Sequence, residues 1–234
     1  MDKKIREAQL EILKIFSNVT ETFALCGGTA LELYYLHHRF SVDLDFFSSR
    51  YSLKEINKLV NAFKKYSKLI KFESEFMAKD HARVRFYVIP VKGSDRPLKI
   101  DFVEDVVFEK PKIKKFNKVP VYSAENIYLQ KIMAITGTQF MEDDIGRLHS
   151  QGRRKARDIF DLYMLSKKIY ELHLFLQHQS HQIKRGIVHW YQTFSRQDIL
   201  LELLDLDIYD KNFDARKMII YLEEEIRKFI KEEL

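Results

Sequence analysis

Cysteine is almost absent from this chain, with Cys26 the one thiol among 234 residues. An internal disulfide is thereby excluded, and no Cys/His spacing resembles a zinc site, so a reducing compartment is the natural setting. No stretch is long and apolar enough to span a bilayer. The N-terminal "MDKKIREAQLEILKIF" is charged at helical spacing and lacks the uninterrupted apolar core of a targeting segment. These features point to a soluble, cytoplasmic protein with no membrane partner. Internal repeats and low-complexity tracts are lacking too. Glycine is scarce, seven in all, and two of the seven stand side by side as Gly27-Gly28.

Hydrophobic residues make up 46% of the chain, enough to build one large core or two small ones, which argues against disorder. Forty Lys and Arg against thirty-four Asp and Glu leave a net charge of +6 and a pI near 9.1. That mild excess favours a polyanionic partner such as nucleic acid without requiring one.

Along the chain, Ile5, Leu10, Ile12, Leu13 and Phe16 suggest an amphipathic first helix, and "FALCGG" reads as a short buried strand stopped by glycine. Thr29 to His38 has helical spacing, "SVDLDFF" reads as a second strand, and residues 52 to 66 as a helix. "HARVRFYVIP" alternates strictly, with Ala82, Val84, Phe86 and Val88 on an apolar face and His81, Arg83, Arg85 and Tyr87 on a wet one. "PLKIDFVED" alternates in the same way, setting Leu98, Ile100 and Phe102 against Lys99 and Asp101. From Ser123 to Leu234 no strand is evident, and apolar residues recur at helical spacing. The expectation is an α+β chain: an α/β domain over residues 1–120, with a mixed sheet flanked by helices, and a helical bundle over 121–234. The connector "EKPKIKKFNKVPVYS" marks the boundary and could add an edge strand.

Gly27-Gly28-Thr29 falls between a strand and a helix. Two glycines there allow a sharp turn and close approach to a ligand, main-chain N–H groups can meet phosphate oxygens, and the Thr29 hydroxyl could add one more hydrogen bond. An ordinary helix start with Thr near its cap has the same pattern. Asp43 and Asp45 are harder to explain structurally. Period 2 in a strand sends both carboxylates to one face, where they repel unless a cation compensates them. Mg²⁺, with Mn²⁺ as a substitute, suits that pair of hard oxygen ligands and completes its shell with water and substrate phosphates. Pairing with Arg39 is the structural alternative. Asp101, on the polar face of its own strand, would be the third carboxylate if that strand lies alongside, and three carboxylates around two metals suit an in-line phosphoryl displacement. A one-residue slip would bring Glu104 or Asp105 forward instead.

Gly27-Gly28-Thr29, followed by a helix, Arg39, Ser41 and Asp43-Leu44-Asp45-Phe46, resembles the signature of the AbiEii/AbiGii-type nucleotidyltransferases, a branch of the polymerase β-like superfamily that includes toxins of bacterial toxin–antitoxin systems. The likeness extends to "LKIDF", "AENIYLQKIMAI" and "RRKARDIFDLYML", from about Phe23 to Leu165. It implies a polymerase β-like domain completed by the helical bundle, with NTP as donor, tRNA or another RNA as acceptor, and an antitoxin protein as partner. It further implies that Gly27, Gly28 and Thr29 cradle the triphosphate, that Asp43, Asp45 and Asp101 are catalytic and hold metal, that Lys131 reaches a phosphate, and that Asp158 completes the nucleotide site. Thr29 stands where the superfamily often has serine, which keeps the hydroxyl.

Bland readings exist for the remaining polar residues. Lys131 also reads as snorkelling at a helix edge. Arg154/Asp158 and Arg157/Asp161 are i,i+4 pairs and could form a solvated face. Arg153, Arg154, Lys155 and Arg157 could instead present charge to a triphosphate or nucleic acid. His37 and His38 read as cap or surface residues, and His173, His178, His181 and His189 as helix surface. A metal-dependent glycosyltransferase using Asp43 and Asp45, and a non-catalytic RNA- or protein-binding relative, are the rival functions.

Overall fold

The computed structural model describes residues 1–77, 82–137, 140–142, 148–150, 152–153 and 155–233. The chain divides into two compact units, one formed by Met1–Tyr35 with Phe40–Asn126 and the other by Leu36–Arg39 with Ile127–Leu234. Four residues between the glycine pair and the two aspartates thus belong to the second unit.

In the first unit, α1 (Lys3–Val19) begins at Asp2, whose carboxylate accepts from the N–H groups of Lys4 and Ile5. Ile5, Ala8, Ile12, Leu13 and Phe16 form its buried stripe. Leu10 lies off that stripe and is 50% exposed, contrary to the sequence expectation. Next come β1 (Ala24–Cys26), α2 (Gly27–Leu31), a π-helical turn (Glu32–Leu36), β2 (Leu44–Ser48), α3 (Leu53–Phe63), β3 (Lys71–Phe76), β4 (Val84–Ile89), β5 (Leu98–Glu104), β6 (Ile113–Phe116) and β7 (Val119–Tyr122). The seven strands form one mixed sheet in the order β3-β4-β5-β2-β1-β7-β6. β2 runs parallel to β5 and antiparallel to β1, while β1 runs parallel to β7.

One sheet face is sealed by apolar side chains. Phe16 of α1 stacks on Phe46 with ring centroids 4.0 Å apart, and Phe23, Phe63 and Phe102 close around them. The faces of β4 are the reverse of those its alternation suggests. Tyr87 and Ile89 are buried opposite Ile100 and Leu98, whereas Val84, Phe86 and Val88 are half-exposed and Phe86 lies opposite Asp101. Pairing with β5 decides this, because partners across a ladder share a face. His81, assigned to the wet face, lies outside the described residues.

The second unit holds α4 from Ile127 onward (the helix spans Ala124–Thr136), α5 (Ala156–Lys168), α6 (Leu172–Gln177), α7 (His181–Thr193), α8 (Arg196–Leu203) and α9 (Ala215–Glu233). It also has a short antiparallel pair, β8 (Phe140–Glu142) with β9 (Leu148–Ser150), where no strand was expected. Three residues are too few for alternation to register. Ile132, Ile159, Leu162, Leu172, Trp190, Leu222 and Ile226 are among the apolar residues buried here. His173 is no surface residue: its Nδ1 lies 2.7 Å from Glu225 Oε2, tying α6 to α9. No described helix is long and apolar enough to cross a membrane.

Candidate active site

The chain leaves β1 at Gly27 with φ +68°, a left-handed conformation that costs glycine nothing. A Cβ built there would run into the Asp45 carboxylate, with its Cγ only 2.9 Å away. The missing side chain therefore leaves the room that Asp45 occupies. Gly28 and Thr29 follow, both buried. The Thr29 hydroxyl donates to the main-chain carbonyl of Asp43, so its proton is engaged within the protein. In this arrangement Thr29 braces the aspartate segment.

Two further side chains, which sequence reasoning missed, hold the approach to Asp43. Gln9 on α1 donates through Nε2 to the carbonyls of Ser41 (2.9 Å) and Val42 (2.8 Å). Glu32 accepts from the Ser41 N–H at 2.9 Å through one oxygen and from Arg6 through the other. A fully buried glutamine inside the apolar stripe of α1 was the available signal.

Asp43 precedes β2, Asp45 lies within it, and both are half-buried while Leu44 and Phe46 are buried. The β2–β5 register places Asp45 directly opposite Asp101, with Leu44 opposite Ile100 and Phe46 opposite Phe102. Asp45 and Asp101 therefore share the sheet face opposite the aromatic core, and Asp43 stands just before the paired residues of β2. Glu104 and Asp105 are engaged elsewhere: Glu104 pairs with Arg83 at 2.7 Å, and Asp105 accepts from the Tyr122 hydroxyl at 2.7 Å. Among the described residues no three His, Cys, Asp or Glu side chains are drawn together closely enough to hold a metal ion by themselves. The donor chemistry nonetheless fits Mg²⁺ or Mn²⁺, because such ions are held by one or two carboxylates plus substrate phosphates.

Lys131 and Asp158 belong to the second unit, in a buried charge network. Lys131 Nζ lies 2.6 Å from Asp158 Oδ1 and 2.8 Å from Asp161 Oδ2. Asp161, fully buried, also receives Arg39 through Nε (2.7 Å) and Nη2 (2.8 Å), and His38 Nε2 lies 2.7 Å from its Oδ1. Arg39 thus forks onto Asp161. The i,i+4 reading of α5 as a solvated face fails for Asp158 and Asp161, and His38 is interior. Arg154 lies outside the described residues. Burial acts to raise both carboxyls, but the charges of Lys131 and Arg153 beside Asp158, and of Arg39 and Lys131 beside Asp161, hold them below the usual range, Asp161 well below. Burial would lower the Lys131 ammonium, and the two aspartates outweigh it and raise it. Asp158 Oδ2 is buried and has no hydrogen-bond partner among the described residues.

A sequence profile of the family described as nucleotidyl transferase AbiEii toxin, type IV toxin–antitoxin system, matches residues 11–231. The span includes the C-terminal third that the motif resemblance left unassigned. Among solved structures, the chain is similar to a candidate nucleotidyltransferase from H. pylori, at TM-score 0.57 and 18% identity, covering 97% of this chain and 95% of that one. It is equally similar to JHP933 from Helicobacter pylori, at TM-score 0.57 and 18% identity, covering 100% and 96%. No curated protein matches significantly.

Proposed function

The chain belongs to the AbiEii nucleotidyl transferase toxin family, and on that premise we propose that it moves a nucleotidyl group from an NTP to an acceptor hydroxyl, with RNA as the acceptor class. In this reaction the acceptor oxygen bonds to the α-phosphorus, the bond from that phosphorus to the bridging oxygen breaks, and pyrophosphate leaves. Asp101 takes the hydroxyl proton. Asp43 and Asp45, with Asp101, are the residues that would hold a divalent cation, whose chemistry is to neutralise triphosphate charge. Gly27 and Gly28 let the main chain approach the phosphates, and Thr29, Gln9 and Glu32 fix the segment that carries Asp43. Lys131 and Asp158 are proposed as nucleotide-binding residues of the helical unit, where Asp158 Oδ2 is a buried acceptor without a donor among the described residues. An antitoxin partner and a cytoplasmic site of action accompany this reading.

The observation that carries the proposal is the direct register of Asp45 with Asp101, beside a glycine whose missing Cβ leaves space for the Asp45 carboxylate. The test is incorporation of label from each α-labelled NTP into total bacterial RNA with Mg²⁺, comparing the native chain with Asp43→Asn. Label from the native chain alone supports the reading. Equal label from both removes Asp43 from the chemistry.

A further inference from the structure

We propose that the β6–β7 hairpin and its approach, Lys110 to Lys118, grip the phosphate backbone of a single-stranded RNA. The inference deepens the acceptor class given above and rests on that reading for the link to catalysis, although the grip itself does not require turnover. Lys110, Lys112, Lys114, Lys115 and Lys118 fall within nine residues that contain no acidic side chain. They carry +5 in a chain whose net charge is +6. All five are exposed, and none makes an ion pair with a described residue. Glu109 precedes the run, and Glu125 feels the charge of its lysines. The Glu125 carboxyl is held below its usual value first by main-chain and Ser123 hydrogen bonding, and then by the charges of Lys114 and Lys112.

β6 is the edge of the sheet, and lysine on an edge strand discourages pairing with other chains. One or two lysines serve that purpose. Five without an ion-pair partner among the described residues repel each other, and a polyanion relieves that repulsion. The strand that displays them is firmly held. The Lys112 N–H donates to Asn126 Oδ1 at 2.7 Å, and its carbonyl accepts from the Ser123 N–H at 2.8 Å. Phe116 stacks on Tyr34 with centroids 4.9 Å apart and meets Tyr35 edge-on at 5.5 Å, while Lys114 Nζ lies 5.9 Å from the Tyr35 ring centroid. Asn117 and Lys118 both take positive φ at the tip, which makes a tight turn.

Register connects this strand with the aspartates. Asp45 pairs with Cys26, Leu25 with Val121, Lys114 with Val121 and Lys115 with Pro120, so Lys115 shares the aspartate face and Lys114 takes the other. Three strand spacings separate β2 from β6, about 14 Å. A few nucleotides of extended strand cover that distance, so a backbone gripped at β6 can present its end near Asp45. An acidic protein could meet the same charge, but the lysines follow one another along the approach, both faces and the tip of a single edge hairpin, which suits the successive phosphates of a strand that wraps that edge.

Binding of a fluorescein-labelled, mixed-sequence 20-nucleotide single-stranded RNA, followed by anisotropy without NTP across a salt series, tests the grip. Lys112→Gln/Lys114→Gln/Lys115→Gln should weaken binding at least tenfold and reduce the slope of log affinity against log salt by about 2, from about 0.7 per lost contact on a single strand. Lys64→Gln/Lys65→Gln/Lys68→Gln removes the same charge from other exposed positions and should stay within twofold. Lys112→Arg/Lys114→Arg/Lys115→Arg should bind like the native chain. Equal weakening by both glutamine triples would overturn the proposal in favour of net charge. Unchanged RNA binding by the hairpin triple, with loss only of binding to polyglutamate, would overturn it in favour of an acidic protein. If Asp43→Asn binds RNA normally and no NTP labels any acceptor, the grip stands and the catalytic reading alone fails.

Discussion

Replacing Asp161 with asparagine removes one negative charge at nearly constant volume from the centre of the helical unit. The aspartate compensates Arg39 through two hydrogen bonds of 2.7 and 2.8 Å and Lys131 at 2.8 Å, and all three residues are buried. Removing one partner of a buried ion pair costs about 3–5 kcal/mol, because the opposing charge stays buried. Asparagine keeps one acceptor, and Lys131 keeps Asp158, so the lower end applies, about 3 kcal/mol. For a cooperative unit of this size that corresponds to a fall in Tm of about 10 °C. Trp190 is the chain's one tryptophan, and it is buried on α7 within the same unit, so urea titration by its fluorescence reads the correct region. Lys217→Gln, at an exposed position on α9 of the same unit, should shift stability by less than about 0.5 kcal/mol. Arg39→Met/Asp161→Leu should recover part of the single-variant loss, because it removes charge from both sides. If Asp161→Asn unfolds within about 1 kcal/mol of the native chain, the carboxylate is not what makes burial of Arg39 and Lys131 tolerable, and the network argument is wrong.

The same directions give an acid dependence. Asp161 and Glu225 have folded carboxyls below their ordinary values of 3.8 and 4.5. Their stabilisation is therefore complete above those values and is lost as pH falls through the depressed folded ones, so the native Tm should fall below pH 4.5 more steeply than that of Asp161→Asn/Glu225→Gln. Parallel curves would refute this. Thr29→Val should cost about 1–3 kcal/mol by leaving the Asp43 carbonyl without its donor, whereas Thr29→Ser should cost little, both read by urea unfolding followed by circular dichroism. Gly27→Ala forces alanine into a left-handed conformation against the Asp45 carboxylate. It should reduce label transfer at least tenfold while far-ultraviolet circular dichroism is unchanged, and native transfer rates would show that Asp45 has room to move.

Much of the sheet unit was legible because its signals are local. Alternation in "LKIDF" fixes which of its side chains share a face, and the parallel β2–β5 pairing then sets Asp45 against Asp101. Period alone does not say which face is covered. Val84, Phe86 and Val88 looked like the buried side of β4, yet ladder pairing put Tyr87 and Ile89 on the core side, so the apolar set accompanies Asp101. The helical unit was less legible for a different reason. His38 and Asp161 are 123 positions apart in sequence, and neither carries a local mark of the other. Arg39 was legible as part of a motif, but the carboxylate it engages was not.

The position of Arg39 gives the motif a physical meaning beyond its chemistry. The chain passes from the glycine turn through Leu36–Arg39, which belong to the helical unit, and returns at Phe40 to carry Asp43 and Asp45. His38 and Arg39 are fixed by Asp161, the His38 carbonyl accepts from the Tyr209 N–H at 3.0 Å, and three residues after Arg39 the main chain is held again by Gln9. A segment clamped this tightly on both sides has little freedom to relocate the aspartates. Loosening the clamp at Asp161 should therefore lower nucleotidyl transfer even at temperatures where Asp161→Asn remains folded, although Asp161 lies outside the proposed chemistry. Such a loss should appear in the rate at saturating NTP and RNA, with the apparent affinity for RNA little changed. A folded Asp161→Asn with native turnover would mean that Asp43 and Asp45 are positioned from within the sheet unit alone, by Gln9, Thr29 and Glu32.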